Sequence, residues 1–342
     1  MKREVLTSQL TKRDTQILKG IAVLMLLFHH CLYTGEGYDD FIINGVPFFK
    51  NVGIFCKICV AIFVFLSGYG LTKQARINDA AIKPMRFYGK RYVKLMMNYW
   101  LIWLLFVPMG VLFWGRTFPS VYGNHYLIKG IIDFLGIYMA VFSSPNGYNA
   151  TWWFYSCIIV LYLLYPFIWN YRKYWFVIIP ISISLSPSWG IPFFGSSGAL
   201  AYLFTFICGM AYSYVGISGG GRNVSVTMVL VFISVCIFRF LVPSTKWDSV
   251  IVILGVYVYK LFPSIKIISS FFHIMGKHSF NIFLFHTFIY AYYFHDYIFW
   301  SANPIIIIST LLFVCLLVSM GIERIKILLN IDKIQNQLIQ RT

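Results

Sequence analysis

Charge is scarce in this sequence. Only 11% of its 342 residues are Asp, Glu, Lys or Arg, and just 11 are acidic. A soluble domain of average composition carries about a quarter charged residues, so an ordinary soluble fold is excluded. No GxxxxGK[ST] loop, GxGxxG turn or HExxH pair occurs, which leaves nucleotide-binding and zinc-protease motifs without support. The seven cysteines fall mostly inside apolar runs and suggest no disulfide framework. Cys56 and Cys59 form a CxxC, but zinc wants four convergent ligands and no second pair is evident, so packing is expected and no metal site. "GYDD" (Gly37–Asp40) lacks the spacing of a metal-binding DxD. There is no Pro/Ser-rich linker, no internal repeat and no small-residue cleavage site after the first apolar run. A single transmembrane domain follows, its core at about 13–322 with a short cytoplasmic tail at 323–342.

What fills the chain is apolar: 59% hydrophobic and 20% aromatic residues. The apolar runs have the length a helix needs to cross about 30 Å of hydrocarbon. Lipid offers backbone groups no partner, so such runs are helical, and the short alternating strands of a membrane barrel are absent. The fold class is therefore all-α, a polytopic integral membrane protein. Ten spans are expected, roughly 17–33, 52–72, 95–114, 151–169, 175–186, 199–216, 224–241, 249–262, 279–294 and 304–322. The net charge of +17 would suggest nucleic acid in a soluble protein, but its placement argues otherwise. With the N-terminus inside, the inner segments hold 20 basic residues and the outer ones only Lys50, Arg116, Lys129 and Lys246. That asymmetry puts both termini in the cytoplasm of a cell (inner or plasma) membrane protein. The bilayer is then the partner and nucleic acid is not.

One stretch tests this count. "YLIKGIIDFLGIYMAVF" (Tyr126–Phe142) is short and carries Lys129 and Asp133 four apart on one face. It is expected to be a re-entrant or interfacial helix on the outer side. "SGGGR" (Ser218–Arg222) is expected to be a flexible inner turn.

The first run, "LKGIAVLMLLFHH" (Leu18–His30), pairs a cation with two imidazoles. Lys19 and His30 are eleven residues apart, three turns and about 20° of rotation, so they share a face about 16 Å apart along the axis. His29 points about 80° to the side. Either Lys19 snorkels to the headgroups with the histidines at the opposite interface, or the stripe faces an internal cavity, the usual situation of ionisable groups in spans.

Around this stripe the residues "KRDTQILKGIAVLMLLFHH" are similar to the opening of the acyltransferase 3 family of integral membrane acyltransferases. That family begins with a basic residue, ten positions and a histidine, here Lys19 and His30, with lysine where arginine is frequent. "FCKICVAIFVFLSGYGL" (Phe55–Leu71) resembles the family's second span, ending in Ser67, Gly68 and Tyr69. "YGKRYVKLMMNYW" (Tyr88–Trp100) resembles its basic entry to the third span, with Arg91 and Lys94 where two arginines are common. "TWWFYSCIIVLYLLYP" (Thr151–Pro166) and "MGKHSFNIFLFH" (Met275–His286) are fainter echoes, in order.

The resemblance implies transfer of an acyl group, usually acetyl from acetyl-CoA or another acyl-CoA, to a hydroxyl of an envelope carbohydrate or glycolipid. A sugar hydroxyl is a weak nucleophile, and an uncharged imidazole can take its proton, the role expected of His30. Lys19 would hold a CoA phosphate or polarise the thioester. CoA is anionic, and Lys83–Lys94 concentrates basic residues. Arg91, Lys94 and Lys90 would bind phosphate there, or else anchor the topology on anionic lipid. Ser67, Gly68 and Tyr69 would let backbone approach the donor, or else mark a helix end. Trp153 is either a sugar platform or part of an interfacial aromatic belt. His286 is an acceptor-side residue or a satisfied core histidine, and Glu36 an orienter of His30 or a solvated loop residue. The other readings open at this stage are a transporter or flippase, and a polymerase, of a lipid-linked glycan.

Overall fold

The computed structural model describes residues 9–43, 45–77, 79–144, 147–185, 199–215, 222–261 and 266–341, almost all of them helical. The expected turn at 218–222 lies outside the described residues apart from Arg222, as do the terminal residues 186, 216 and 262 of three expected spans. The helices are α1 (Lys12–Leu32), α2 (Phe48–Cys56), α3 (Cys59–Ala75), α4 (Pro84–Phe113), α5 (Phe118–Tyr122) and α6 (Tyr126–Phe134). There follow α7 (Tyr138–Phe142), α8 (Trp153–Asn170), α9 (Trp175–Leu185), α10 (Leu203–Val215) and α11 (Arg222–Leu241). The last are α12 (Asp248–Leu261), α13 (Lys266–Thr287), α14 (His295–Ile298), α15 (Pro304–Leu328) and α16 (Ile331–Arg341).

Among the described residues five stretches are long and apolar enough to cross a membrane: Lys12–Leu32, Phe48–Ala75, Pro84–Phe113, Ala150–Asn170 and Pro304–Leu328. They coincide with five of the ten expected spans. Leu200–Val215 and Ser225–Leu241 are apolar but shorter. The second expected span is a broken helix, interrupted at Lys57–Ile58, and it runs on past Gly68 and Gly70 to Ala75. Ser67–Gly70 is therefore not a helix end. Beyond 322, α15 continues to Leu328, and α16 packs on α4, where Gln335 donates to the Lys94 carbonyl.

Helix α1 is the axis of the bundle and touches α13, α2, α3 and α15. A capping box starts it: the Thr11 hydroxyl accepts from the Asp14 amide and the Asp14 carboxylate from the Thr11 amide. The same carboxylate accepts from Tyr259 and Lys260 of α12. Glycine sets how near α13 can come. A Cβ on Gly20 would lie 1.9 Å from the Phe272 carbonyl, and one on Gly276 would lie 1.9 Å from the Gln16 carbonyl. The same device joins α3 to α10, where Gly68 faces the Phe206 carbonyl and Gly209 the Phe65 carbonyl.

The segment expected to be one interfacial helix is two short ones, α6 and α7, separated by a turn at Gly136 with φ of 73°. Neither is long enough to cross hydrocarbon. Asp133 corrects the expectation in one respect: its side chain does not share an exposed face with Lys129 but is 1% exposed. Its carboxylate accepts from Tyr122 at 2.5 Å and from the Tyr148 amide at 2.7 Å, while its carbonyl accepts from Tyr99 at 2.6 Å. Lys129 instead donates to the Tyr122 carbonyl. Burial pushes the Asp133 carboxyl up from 3.8 to about 6, against the pull of the Tyr122 hydroxyl and Tyr148 amide.

Two outcomes are expected. Gly20→Ala forces α1 off the α13 backbone and costs about 1–3 kcal/mol of stability; Gly321→Ala, which meets nothing within 4 Å, leaves thermal unfolding in detergent unchanged. Because the folded Asp133 carboxyl titrates above its unfolded value, its contribution is full below about pH 4. It is lost as pH rises through about 6. A melting profile of wild type against Asp133→Asn between pH 4 and 7 checks this, since the amide removes the titration.

Candidate active site

A chamber of about 650 Å³ opens between α1, the α2–α3 break, α8, α10 and the end of α13. His29 and His30 of α1 line it together with Lys57, Trp153, Thr205, Asp248, Thr287 and Tyr290. The break between α2 and α3 turns Lys57 into the chamber. Trp153 opens α8 after a short 3₁₀ turn in which the Asn149 side chain accepts from the Thr151 amide at 2.9 Å. The Thr151 and Thr287 hydroxyls meet at 2.9 Å, tying α8's entry to α13. After Thr287 the helix widens into a π-turn, Phe288–Tyr293, which aims Tyr290 and Tyr292 at the same space. Such turns recur where function needs a side chain re-aimed.

The imidazoles differ in what holds them. His29 has Nδ1 2.8 Å from the Gly53 carbonyl. A carbonyl only accepts, so Nδ1 carries the hydrogen and Nε2 of the neutral ring keeps its lone pair. His30 has Nδ1 3.2 Å from the Tyr290 hydroxyl, which can give or take a hydrogen. His286 is fully buried, its Nδ1 3.0 Å from the carbonyls of Ile282 and Phe283, and its Nε2 has no partner. The His30 ring lies 4.9 Å from each of the His29 and His286 rings and 5.7 Å from Tyr290. His30 thus touches the other two imidazoles and the phenol, and it faces the chamber with His29 and Tyr290. Helical spacing does not single out His29, because it sits off the Lys19 stripe. The chamber is wide enough to take both neighbours.

A second polar group lies at the other end of α1. Lys19 is half-buried and feels the charge of Lys94, which in turn feels Arg91. Arg91 donates to the Gln74 side chain and lies 5.6 Å from the Phe87 ring. Lys90 is on the preceding position of α4. Ser67 lies between the two ends: it donates to the carbonyl of Phe63, a chamber residue, and pairs with Tyr162, which feels Arg91. Gly68 and Tyr69 face elsewhere, the first against α10 and the second donating to the Leu10 carbonyl. Glu36 is exposed, its amide against the Thr34 hydroxyl, and does not line the chamber. Among the described residues no three His, Cys, Asp or Glu side chains converge to hold a metal ion.

Long apolar helices around an imidazole-lined chamber, with cations at the far end, define a multi-pass membrane protein whose site is buried between its helices. The family model described as an acyltransferase domain matches residues 14–324, and the chain belongs to that family, the acyltransferase 3 family. Comparison with curated proteins and with solved structures returns no match.

At the chamber wall Asp248 forms an ion pair with Arg239 at 3.0 Å, both side chains almost wholly buried. Arg239→Met strands the carboxylate and is expected to cost about 3–5 kcal/mol. Arg239→Met with Asp248→Leu is expected to recover most of that loss, read as thermal unfolding of the purified variants.

Proposed function

We propose that the chain is a membrane O-acyltransferase that moves acetyl from acetyl-CoA to a hydroxyl of an envelope carbohydrate or glycolipid, with His30 as general base. In this reading it crosses the cell membrane ten times with both termini in the cytoplasm, so the Lys19 end meets the donor and the chamber meets the acceptor. The observation that carries the proposal is the pair of imidazoles lining a chamber, with a lysine about 16 Å away along the same helix that feels the cations of α4.

The chemistry is simple in outline. His30 takes the proton of the acceptor hydroxyl as its oxygen attacks the thioester carbonyl; the C–S bond breaks, and the imidazolium returns the proton to the departing sulfur. Trp153 offers a flat apolar face of the kind that holds a sugar ring. Arg91, Lys94 and Lys19 supply phosphate-binding charge, with arginine able to form two parallel hydrogen bonds. The pantetheine arm would pass Ser67 on its way to the chamber. The carbonyl-anchored His29 is a second base in reach, since its Nδ1–H···O=C bond leaves Nε2 free to accept.

Purified protein in nanodiscs, given labelled acetyl-CoA and envelope glycan, is expected to transfer label. His30→Ala is expected to lose about 10²–10⁴-fold in kcat, while Arg91→Ala raises the KM for acetyl-CoA and spares kcat. Loss in His29→Ala with His30→Ala active moves the base to His29 and overturns the assignment. Movement of a glycolipid across the bilayer without CoA turnover replaces the enzyme by a transporter.

A further inference from the structure

We infer that the acceptor is an anionic glycan, carrying a carboxylate or phosphate, and that Lys57 reads that charge beside the hydroxyl to be acylated. The inference rests on the acyltransferase reading above and adds the class of its acceptor.

The charge balance of the chamber comes first. Its lining contains Lys57 and one acid, Asp248, whose charge is already matched by Arg239 at 3.0 Å. With neutral imidazoles the wall is left with a positive excess. The Lys57 ammonium makes no hydrogen bond and no ion pair among the described residues. An ammonium at membrane depth is costly unless something pairs with it, and the acid whose charge reaches Lys57, Asp248, is already bonded to Arg239 at 3.0 Å.

The placement of Lys57 is built. Helices α2 and α3 would make one uninterrupted apolar span but for the break at Lys57–Ile58, where the backbone turns through Lys57 N–H to the Ile54 carbonyl at 3.3 Å. Irregular backbone is tolerated at that depth only where it lines a cavity or is buried in protein. The break delivers the lysine to the chamber, close enough to His29 and His30 for their charges to interact. Topology does not explain it: positive-inside pressure favours lysine on the cytoplasmic side, and this end is the outer one in the proposed orientation.

Polar groups beside Lys57 lack partners as well. Arg239 Nη1 and Asp248 Oδ2 are buried and unpaired, although the two residues bond through their other atoms. Asp248 lines the chamber, and beside it the Thr205 and Ser249 hydroxyls, 2.5 Å apart, offer oxygens to a sugar hydroxyl. A cation for one charged substituent and acceptors for neutral hydroxyls is the pattern an acidic sugar would satisfy. The donor's phosphates already have a cation cluster at the opposite end of α1.

The test uses the full chain in nanodiscs with labelled acetyl-CoA and three probes: p-nitrophenyl β-D-glucuronide, p-nitrophenyl β-D-glucoside and glucose 1-phosphate. Wild type is expected to prefer one or both anionic probes over the glucoside by at least about tenfold in kcat/KM, about 1.4 kcal/mol. Which anion wins tells carboxylate from phosphate. Lys57→Gln is expected to erase the preference with the KM for acetyl-CoA unchanged, and Lys57→Arg to keep it. Equal use of glucoside and anionic probes overturns the inference. So does a preference that survives Lys57→Gln, or a rise in the KM for acetyl-CoA, which would give Lys57 to the donor. Probe-induced stabilisation against heat is measured in parallel. Should no probe be acetylated while an anionic probe still stabilises wild type and not Lys57→Gln, charge recognition stands and the acyltransferase reading falls.

Discussion

The site depends on how closely α13 approaches α1. Two glycines, Gly20 on one helix and Gly276 on the other, let each backbone rest against a carbonyl of its partner. Close backbone approach through small residues is a main source of helix association in lipid, where apolar burial gives no advantage over the surrounding chains. Because α13 is held there, the last turns of the same rigid helix carry His286 and Tyr290 against His30. A second glycine contact, Gly68 with Gly209, holds α3 to α10 and so fixes the opposite wall, where Thr205 faces the chamber. Both contacts lie away from the imidazoles, toward the cation end. The chamber exists where the helices are free to part.

Part of this was legible in the residues. The apolar runs of α1, α4, α8 and α15 announce themselves, because hydrocarbon thickness sets their length and lipid enforces their helicity. The shared stripe of Lys19 and His30 followed from helix rotation alone. What helix rotation could not give is the width of the space that the stripe faces. His29 looked turned away, yet a chamber reaching across the α2–α3 break includes it. Hydropathy runs straight through Cys56–Lys57–Ile58–Cys59, so the break is invisible to any averaging; only the lone lysine hinted at it. Asp133 shows the converse. Spacing put it on a face with Lys129, but the tyrosines that bury it come from segments up to 34 residues away. The π-turn after Thr287 likewise leaves no periodic mark, and Gly68 reads as loop punctuation until its neighbour across the interface is known.

The packed imidazoles constrain any chemistry they perform. Rings with centroids 4.9 Å apart cannot all be charged, since like charges at that separation repel strongly inside a protein. The group holds at most one extra proton at a time. His286 and His29 each commit Nδ1 to carbonyl oxygen, and the hydroxyl facing His30 can switch between donor and acceptor. A proton accepted by His30 therefore does not require a neighbouring bond to break.

Lys57 works against that same proton. It lines the same chamber as both rings, and like charges at such range repel. An acidic acceptor would offset the ammonium at the moment the hydroxyl gives up its hydrogen, so the charge that is read on binding also makes room for the charge that forms in the transition state. A neutral sugar in the same place would leave the lysine uncompensated, and His30 would have to become a second cation beside it. On this argument acceptor choice and base strength are one property of the chamber. It follows from the break in the backbone between Cys56 and Cys59, and from the neighbouring Asp248 being already spent on Arg239.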